Sequence, residues 1–199
     1  MATEFLDPTS NVNAVWSANA YTLIDDGTRQ PSVPATDKIV ADDNDDSEEQ
    51  SYGMSDPAAS YSEITSIVVW AYGEVSHPSL DNDLNCRIKV GGVYETAQSF
   101  GFTAAANLIW QSLTFNGSWT EAEVDNLEVS FITPTIDKDD SIEIHSMYVD
   151  MTGTEISAGV TRKIKIAGTF QDKPIQTKVG GTFVDKPIKI KVGGIFQDA

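Results

Sequence analysis

A 13-residue unit is repeated in tandem at the end of this 199-residue chain. Lys165, Lys178 and Lys191 occupy equivalent positions, each followed by Ile or Val, a glycine-containing pair and, after one more residue, Phe. The alternation of apolar residues with Lys is typical of a strand, and the glycines indicate a tight turn. A lone two-stranded hairpin is marginally stable in water, so such units need something to stack on. Residues 156–199 are therefore predicted to be β-hairpin repeats that attach or oligomerise the chain.

The apolar residues of the repeats are the predicted attachment or oligomer interface. Ile and Val are expected on one face of each hairpin and Lys on the other, and an Asp-Lys-Pro turn is expected to end each unit. The predicted interface residues are Ile164, Ile166, Phe170, Ile175, Val179, Phe183, Ile188, Ile190, Val192 and Phe196.

Charge is divided unevenly between the repeats and the rest of the chain. Residues 1–160 hold five Lys and Arg against 27 Asp and Glu, whereas residues 161–199 hold eight against three. The acidic part argues against binding to nucleic acid, which requires cations to replace the counterions of phosphate, and against anionic membrane surfaces. The basic repeats are expected to find an acidic partner surface, which includes another copy of this chain.

Strand patterns dominate the acidic part. Leu84–Val90 alternates apolar and polar residues, and the Gly91-Gly92 pair that follows predicts a tight hairpin with the next strand, from Val93 to Ala97. Ile64–Val75 is rich in β-branched and aromatic residues and predicts a longer, more central strand. Further predicted strands are Leu108–Phe115, Leu127–Thr133 and Ser141–Met151, with one or two more within Val12–Ile24.

One short helix is predicted after Trp119. Thr120 and Glu123 fit the Thr-x-x-Glu capping box, and Val124 and Leu127 supply an apolar side. Trp119 is expected to pack beneath this helix and close one end of the fold. With about eight strands and no βαβ rhythm, residues 1–155 are predicted to form an all-β, antiparallel, jelly-roll-like β-sandwich with one short helix.

Residues 30–60 are predicted to be an acidic loop. The stretch contains Pro31, Pro34 and Pro57 together with the acidic run of residues 42–49. Clustered carboxylates raise the alternative of a calcium site, but the run lacks the EF-hand spacing, so a solvated loop is the favoured interpretation.

No constellation of residues points to catalysis. His77 lies in a predicted loop, His145 lies within a predicted strand, and no Gly-x-Ser-x-Gly motif is present. Cys86, the single cysteine, falls in the apolar register of its strand and is expected to be a small buried residue. We therefore expect a protein that is not an enzyme and uses no cofactor or metal. The start of the sequence lacks the pattern of a signal peptide, and no apolar run predicts membrane insertion.

The aromatic residues are a second candidate for function, as a platform on which sugars stack. Trp70 and Trp110 lie in apolar strands and are expected in the core. Tyr52 and Tyr61 flank the predicted acidic loop and are expected to be the exposed candidates.

Parts of the chain resemble a β-sandwich module of tailed-bacteriophage virion proteins. The segments that carry the resemblance are residues 64–69, 86–94, 119–129 and 142–149, together with the repeats written Lys-Val-Gly-Gly-x-Phe; the acidic stretch of residues 30–60 is not part of the pattern. The resemblance implies a non-enzymatic structural protein located in the virion and assembled in the host cytoplasm. Within a virion it implies a capsid decoration or head fibre, whose partners are other virion proteins and copies of itself.

Two alternatives differ from this interpretation. The first is a carbohydrate-binding or receptor-binding module that contacts a host-surface glycan through exposed aromatic residues. The second is a tail or connector adaptor whose repeats add strands to the edge of a neighbour's sheet.

Overall fold

The chain divides into two compact units, residues 1–156 and residues 157–199. The computed structural model describes residues 2–13, 15–16, 20–25, 27–32, 37–42, 47–81, 83–104 and 107–156. In the second unit it describes the backbone of six strands, over residues 161–166, 169–174, 176–179, 182–185, 189–192 and 195–198.

The first unit consists of two antiparallel sheets packed face to face. Sheet I contains β1 (Ala2–Leu6), β3 (Ile39–Ala41), β5 (Tyr61–Val75), β9 (Ile109–Trp119) and β11 (Ile142–Glu155). Sheet II contains β2 (Pro8–Asn13), β4 (Glu49–Met54), β6 (Asn85–Val90), β7 (Val93–Tyr94), β8 (Gln98–Ser99) and β10 (Glu128–Ile132). The predicted antiparallel β-sandwich is confirmed.

The order of strands is jelly-roll-like. In sheet I, β11 lies between β1 and β5, and β9 pairs with the other side of β5; in sheet II the order is β2-β4-β10-β6-β7. From β4 onward, each long strand is followed by a long strand of the opposite sheet, so that strands neighbouring in space are distant in sequence. Most strand pairings of the first unit are therefore non-local, an arrangement that is typical of slowly folding all-β domains.

Alternation of side chains places the core between the sheets. In β6, Cys86, Ile88 and Val90 are buried while the residues between them are half-exposed, as their sequence pattern predicts. Cys86 is fully buried, and burial raises the pKa of its thiol. On β10, Phe131 pairs in register with Cys86 and faces the same interior.

The predicted helix is confirmed as α2 (Glu121–Val124). The Glu123 carboxylate accepts hydrogen bonds from the backbone N–H of Thr120 at 2.7 Å and from its hydroxyl at 2.8 Å, which is one half of a capping box. These bonds lower the pKa of Glu123. Trp119 and Val124 are both buried, in agreement with the predicted closure of the fold.

A second helix, α1 (Tyr21–Ile24), was not expected from the sequence. The prediction of strands within Val12–Ile24 is wrong beyond the end of β2, because the chain forms one helical turn and buries Ile24 completely. A 3₁₀ turn at Pro78–Leu80 is the other described helical segment. None of these described helices is long enough to cross a membrane.

The prediction of a loop over residues 30–60 is only partly correct, because β3 and β4 lie within it. β4 is an inner strand of sheet II, between β2 and β10. Its apolar pattern is masked in sequence by Gln50, which faces the interior and is fully buried. The Gln50 amide accepts hydrogen bonds from the N–H groups of Val15 and Trp16 and donates one to the carbonyl of Asn13. Asp43–Asp46 of the acidic run lie outside the described residues.

The hairpin between β6 and β7 turns on Gly91 and Gly92, as predicted. Both have a positive φ, 58° and 81°, and Val90 pairs directly with Val93. A two-residue turn of this kind needs left-handed backbone at both central positions, which glycine adopts without steric cost.

Replacement of Gly92 by alanine is expected to lower the free energy of unfolding by about 1 kcal/mol, because an L-residue is strained in left-handed backbone. No atom lies within 4 Å of the Cβ that would be added, so the expected loss is conformational rather than steric. Urea-induced unfolding followed by tryptophan fluorescence measures it. Asparagine at the same position tolerates this backbone and should lose less. Equal losses for the two variants would contradict this account of the turn.

The second unit contains three antiparallel hairpins. They are β12 (Thr161–Ile166) with β13 (Thr169–Pro174), β14 (Gln176–Val179) with β15 (Thr182–Asp185), and β16 (Lys189–Val192) with β17 (Ile195–Asp198). The two strands predicted for each repeat are thus confirmed as antiparallel pairs, whereas the predicted glycine turns lie outside the described residues. The predicted Asp-Lys-Pro turn is wrong in the first repeat, where these residues end β13. A terminal position suits Pro174, because the residue has no N–H to donate to the ladder.

Candidate functional site

The outer face of sheet II carries a row of five residues that runs across the strands. In register, Tyr94 of β7 pairs with Lys89 of β6, which pairs with Glu128 of β10. Glu128 pairs with Gly53 of β4, and Gly53 pairs with Ser10 of β2. Because residues at paired positions of adjacent strands lie on the same face, the row spans the sheet from one edge strand to the other. We call these five residues the cross-strand row.

Tyr94 forms one end of the cross-strand row. The Gly91-Gly92 turn places it on the short strand β7, and 46% of its surface is exposed. The guanidinium carbon of Arg87 lies 3.8 Å from the centre of the Tyr94 ring, and the ammonium nitrogen of Lys89 lies 5.5 Å from it. Cations over a phenol ring attract its π electrons and hold it in place. The ring is therefore an exposed but supported platform.

Two ion pairs fix the cations around Tyr94. Arg87 donates to both carboxylate oxygens of Glu49, from Nε to Oε1 at 3.1 Å and from Nη2 to Oε2 at 2.5 Å. Lys89 Nζ donates to Glu128 Oε1 at 2.9 Å. These hydrogen bonds raise the pKa of Arg87 and of Lys89. A two-pronged pair of this kind fixes direction as well as distance, so the Arg87 guanidinium is held in one orientation.

Glu49 is the carboxylate that holds the Arg87 side chain in place. Partial burial acts to raise the pKa of its carboxyl group, but hydrogen bonds from Arg87, Ser130 and Ser51 outweigh it and hold the pKa below the ordinary value of 4.5. The hydroxyls of Ser51 and Ser130 also bond to each other at 2.8 Å beneath the pair.

A pH dependence of stability follows from the lowered pKa of Glu49. Its contribution is fully present above the ordinary pKa of 4.5 and is lost as the pH falls through the lower pKa of the folded state. Glu49→Gln should therefore show a shallower loss of unfolding free energy than the wild type on acidification below about pH 5. Urea titrations across this range measure the difference. Asp56→Asn, which neutralises an exposed carboxylate, is the control; equal slopes for wild type and Glu49→Gln would refute the assignment.

A shallow cleft of about 230 Å³ lies at the other end of the cross-strand row. Ser10, Gly53 and Glu128 belong both to the row and to the lining of the cleft. The remaining lining residues are Thr9, Val12, Met54, Asp125, Asn126 and Leu127. The supported tyrosine and the cleft are thus two ends of one continuous surface.

The outer face of sheet I is aromatic, contrary to expectation. Trp70 and Trp110 were predicted in the core, but both are half-exposed and neither belongs to the core between the sheets. The Trp70 ring stacks on Tyr148 with centroids 6.0 Å apart, and the Trp110 ring lies 5.5 Å from Tyr148. Strand β5 thus carries the Trp70 ring on its outer face and apolar core residues on its inner face.

A segment of chain covers part of this aromatic face. The guanidinium carbon of Arg29 lies 4.6 Å from the ring centre of Tyr148 and 5.4 Å from that of Phe5. Trp110 Nε1 donates a hydrogen bond to the carbonyl of Ser32 at 2.9 Å. The described residues thus place a strap over sheet I, whereas the cross-strand row of sheet II is open.

The predicted exposed tyrosines are both buried. Tyr52 has no exposed surface and Tyr61 has 4%, because both face the interior of the sandwich. Burial raises the pKa of Tyr52 well above its usual value, and burial together with a hydrogen bond to Glu4 raises that of Tyr61 to about 12. Tyr94 is the tyrosine that the fold exposes instead. Its position directly after a two-glycine turn is the sequence signal that could have identified it.

The two histidines contact neighbouring polar groups, and His77 Nδ1 also lies 3.6 Å from a carboxylate oxygen of Asp140. His77 Nδ1 lies 3.0 Å from the Ser79 hydroxyl, and His145 Nε2 lies 3.6 Å from a carboxylate oxygen of Glu143. In the described part of the chain, no three His, Cys, Asp or Glu side chains are grouped as a metal ion would require. The absence of enzymatic activity stays a prediction.

Register divides the predicted interface residues of the repeats between two faces. The three Phe pair with Lys, as Phe170 does with Lys165, Phe183 with Lys178 and Phe196 with Lys191. Since successive pairs alternate between faces, Ile164, Ile166, Val179, Ile190 and Val192 lie on the opposite face of their hairpins from these pairs. Ile175 and Ile188 lie outside the described residues. The role of the whole set as an interface stays a prediction.

Fold and surface together define a β-sandwich with one open polar and aromatic sheet face. No family model matches the chain, and no curated protein matches it either. Among solved structures, it is similar to the CBM36-1 domain of a multidomain xylanase from the hindgut metagenome of Trinervitermes trinervoides, with 12% identity over 59% of this chain and 79% of that chain and a TM-score of 0.34. It is also similar to a protein described as Family 16 Carbohydrate Binding Module-2, with 12% identity over 62% of this chain and 78% of that chain and a TM-score of 0.31.

Proposed function

We propose that the β-sandwich is a non-catalytic glycan-binding module whose ligand lies on the outer face of sheet II. The observation that carries the proposal is Tyr94, a half-exposed ring held in place by Arg87 and Lys89. An aromatic ring offers a flat apolar face on which the C–H face of a sugar can be buried, while the phenol hydroxyl remains able to form a hydrogen bond.

The groups around Tyr94 suit a polyhydroxylated ligand. Each sugar hydroxyl needs both a donor and an acceptor, and the paired Arg87–Glu49 and Lys89–Glu128 groups supply both kinds beside the ring. Their geometry is already fixed by the ion pairs and by the strands that carry them. A ligand therefore loses less free energy to the ordering of side chains than on an unsupported surface.

The direct test is binding of the full chain to immobilised glycans and to insoluble cellulose, xylan, chitin and starch. We expect binding to at least one neutral glycan, followed by NMR chemical-shift changes that centre on Tyr94, Lys89 and Glu128. Perturbations confined to the aromatic face of sheet I would place the site elsewhere. Failure of every glycan to bind the folded chain would refute the proposal.

A second role is proposed for residues 157–199, namely attachment of the sandwich to a larger assembly. The observation that favours it is that, among the described residues of this unit, three hairpins of equivalent register each form a two-stranded sheet. Such hairpins gain stability from an added partner. Residues 161–199 carry a net positive charge in a chain that is otherwise strongly acidic, and this charge favours an acidic partner. Because the sequence resembles tailed-bacteriophage virion proteins, we propose that this assembly is a virion. The partners would be other virion proteins or further copies of this chain.

Deletion of residues 157–199 tests the attachment role. The remaining chain is expected to stay folded with the melting temperature of the first unit, since residues 1–156 form a compact unit. It should lose self-association in light scattering and should no longer join virus particles. Unchanged incorporation of the truncated chain would show that the hairpins are not the attachment element.

A further inference from the structure

The cross-strand row indicates the kind of glycan that the proposed site would take. Four inter-strand steps separate Tyr94 on β7 from Ser10 on β2, a distance of about 19 Å at the usual spacing of about 4.8 Å between strands. A single sugar at Tyr94 would leave most of this surface and the whole cleft empty.

The fourth position of the cross-strand row carries no side chain. Gly53 has no side chain, and a Cβ added there would come within 2.7 Å of Ser10 Oγ. The Ser10 side chain therefore lies over Gly53, both residues line the cleft, and Asn126 on an exposed turn lines it as well. A ligand that leaves the Tyr94 ring can pass over Glu128 into the cleft, where position 53 adds no side chain of its own and the Ser10 hydroxyl is within reach.

The charges along this path favour a neutral ligand. Both cations near Tyr94 are paired with carboxylates, and the cleft is lined by the carboxylates of Asp125 and Glu128. The whole chain carries a formal charge of −17. The carboxylates of the cleft would repel a uronic-acid or sulfated glycan. Arg87 and Lys89, the two cations near Tyr94, already have carboxylate partners and are poorly placed to neutralise an anionic ligand.

We infer that the site binds a neutral, linear oligosaccharide that lies across the strands, with one end stacked on Tyr94 and the other in the cleft between Ser10 and Asn126. The inference rests on the proposed glycan-binding function and adds the charge, the length and the direction of the ligand. It gives different roles to the two ends of the row, because the tyrosine end contacts every ligand and the cleft end contacts only long ones.

Calorimetric titration of the full chain with neutral malto-, cello- and xylo-oligosaccharides, from monosaccharide to hexasaccharide, tests the inference. In the series that binds, affinity should rise with chain length by at least about tenfold and then level off once the row is spanned. Asn126→Ala and Gly53→Ala should weaken binding of the long members to the level of the short ones, and leave the short ones unchanged. Asn116→Ala, on an exposed position of sheet I, is the control variant.

The outcomes separate the inference from the function on which it rests. If affinity does not depend on chain length, or if Asn126→Ala has no effect while Tyr94→Ala does, the ligand ends at the tyrosine and the inference is wrong although glycan binding stands. Stronger binding of polygalacturonate fragments than of neutral chains of equal length would overturn the assignment of charge. If Tyr94→Ala is also without effect, the site itself is refuted. Asn126 lies on an exposed turn, so its variant keeps the test valid even if Gly53→Ala unfolds.

Discussion

Replacement of Phe131 by alanine is expected to lower the free energy of unfolding by about 3–5 kcal/mol, the usual cost of removing a buried phenylalanine. Phe131 has no exposed surface, and its ring meets three other rings of the core. The centroid distances are 6.1 Å to Trp16, 5.9 Å to Tyr52 and 6.0 Å to Phe100. Because these rings come from different parts of the chain, a cavity here would not be filled by a small local shift.

Urea-induced unfolding of the first unit measures this effect. Phe5→Ala is the matched control, because the same atoms are removed from a side chain that is 51% exposed. Phe5 contacts Tyr148 with centroids 6.0 Å apart, so a loss of about 1 kcal/mol or less is expected there. A loss for Phe131→Ala as small as that of the control would mean that the aromatic cluster contributes little to the stability of the core.

Replacement of Tyr94 by alanine is expected to weaken glycan binding by about thirtyfold or more, the effect of removing a residue worth about 2 kcal/mol at the centre of a binding site. The ring supplies the apolar contact that no other exposed residue of the cross-strand row offers. Its removal also takes away the ring that lies 3.8 Å from the Arg87 guanidinium carbon and 5.5 Å from Lys89 Nζ, although both cations keep their carboxylate partners. Calorimetry with the tightest-binding glycan measures the change.

Stability distinguishes this effect from unfolding. Tyr94 is about half exposed, so Tyr94→Ala should change the free energy of unfolding by no more than about 0.5–1 kcal/mol. Tyr94→Phe keeps the ring and should retain most of the affinity. In the Tyr94→Ala background, Arg87→Ala should cause a smaller further loss than it causes in the wild type, because part of the expected role of Arg87 is to hold the ring. Full affinity in Tyr94→Ala would remove the basis of the proposed function.

Long strands with regular alternation were predictable from the sequence. β5, β6, β9, β10 and β11 were all recognised, and so was the helix with its capping box. In each of them a local pattern of apolar residues, glycines or caps agrees with the tertiary environment. β4 was missed because a buried glutamine breaks its pattern, and the partners that satisfy Gln50 lie more than 30 residues away in sequence.

The candidate site was much less accessible to sequence reasoning. Carbohydrate binding through exposed aromatic residues was one of the alternatives, but the tyrosines chosen for it, Tyr52 and Tyr61, face the core. Trp70 and Trp110 were assigned to the core, since an apolar strand does not reveal which of its faces is inward. The strap that contains Arg29 and Ser32 makes the outer face of sheet I half-buried, and its position depends on contacts distant in sequence.

The order of residues is sufficient to establish an all-β chain, a tight two-glycine hairpin, a capped helical turn and a 13-residue hairpin repeat, because each depends on neighbours within a few positions. The cross-strand row is different. Tyr94, Lys89, Glu128, Gly53 and Ser10 are spread over more than 100 residues of the chain and become neighbours only through the register of five paired strands. Register is set by which side chains the two sheets bury between them, and a shift of one residue would turn every member of the row inward.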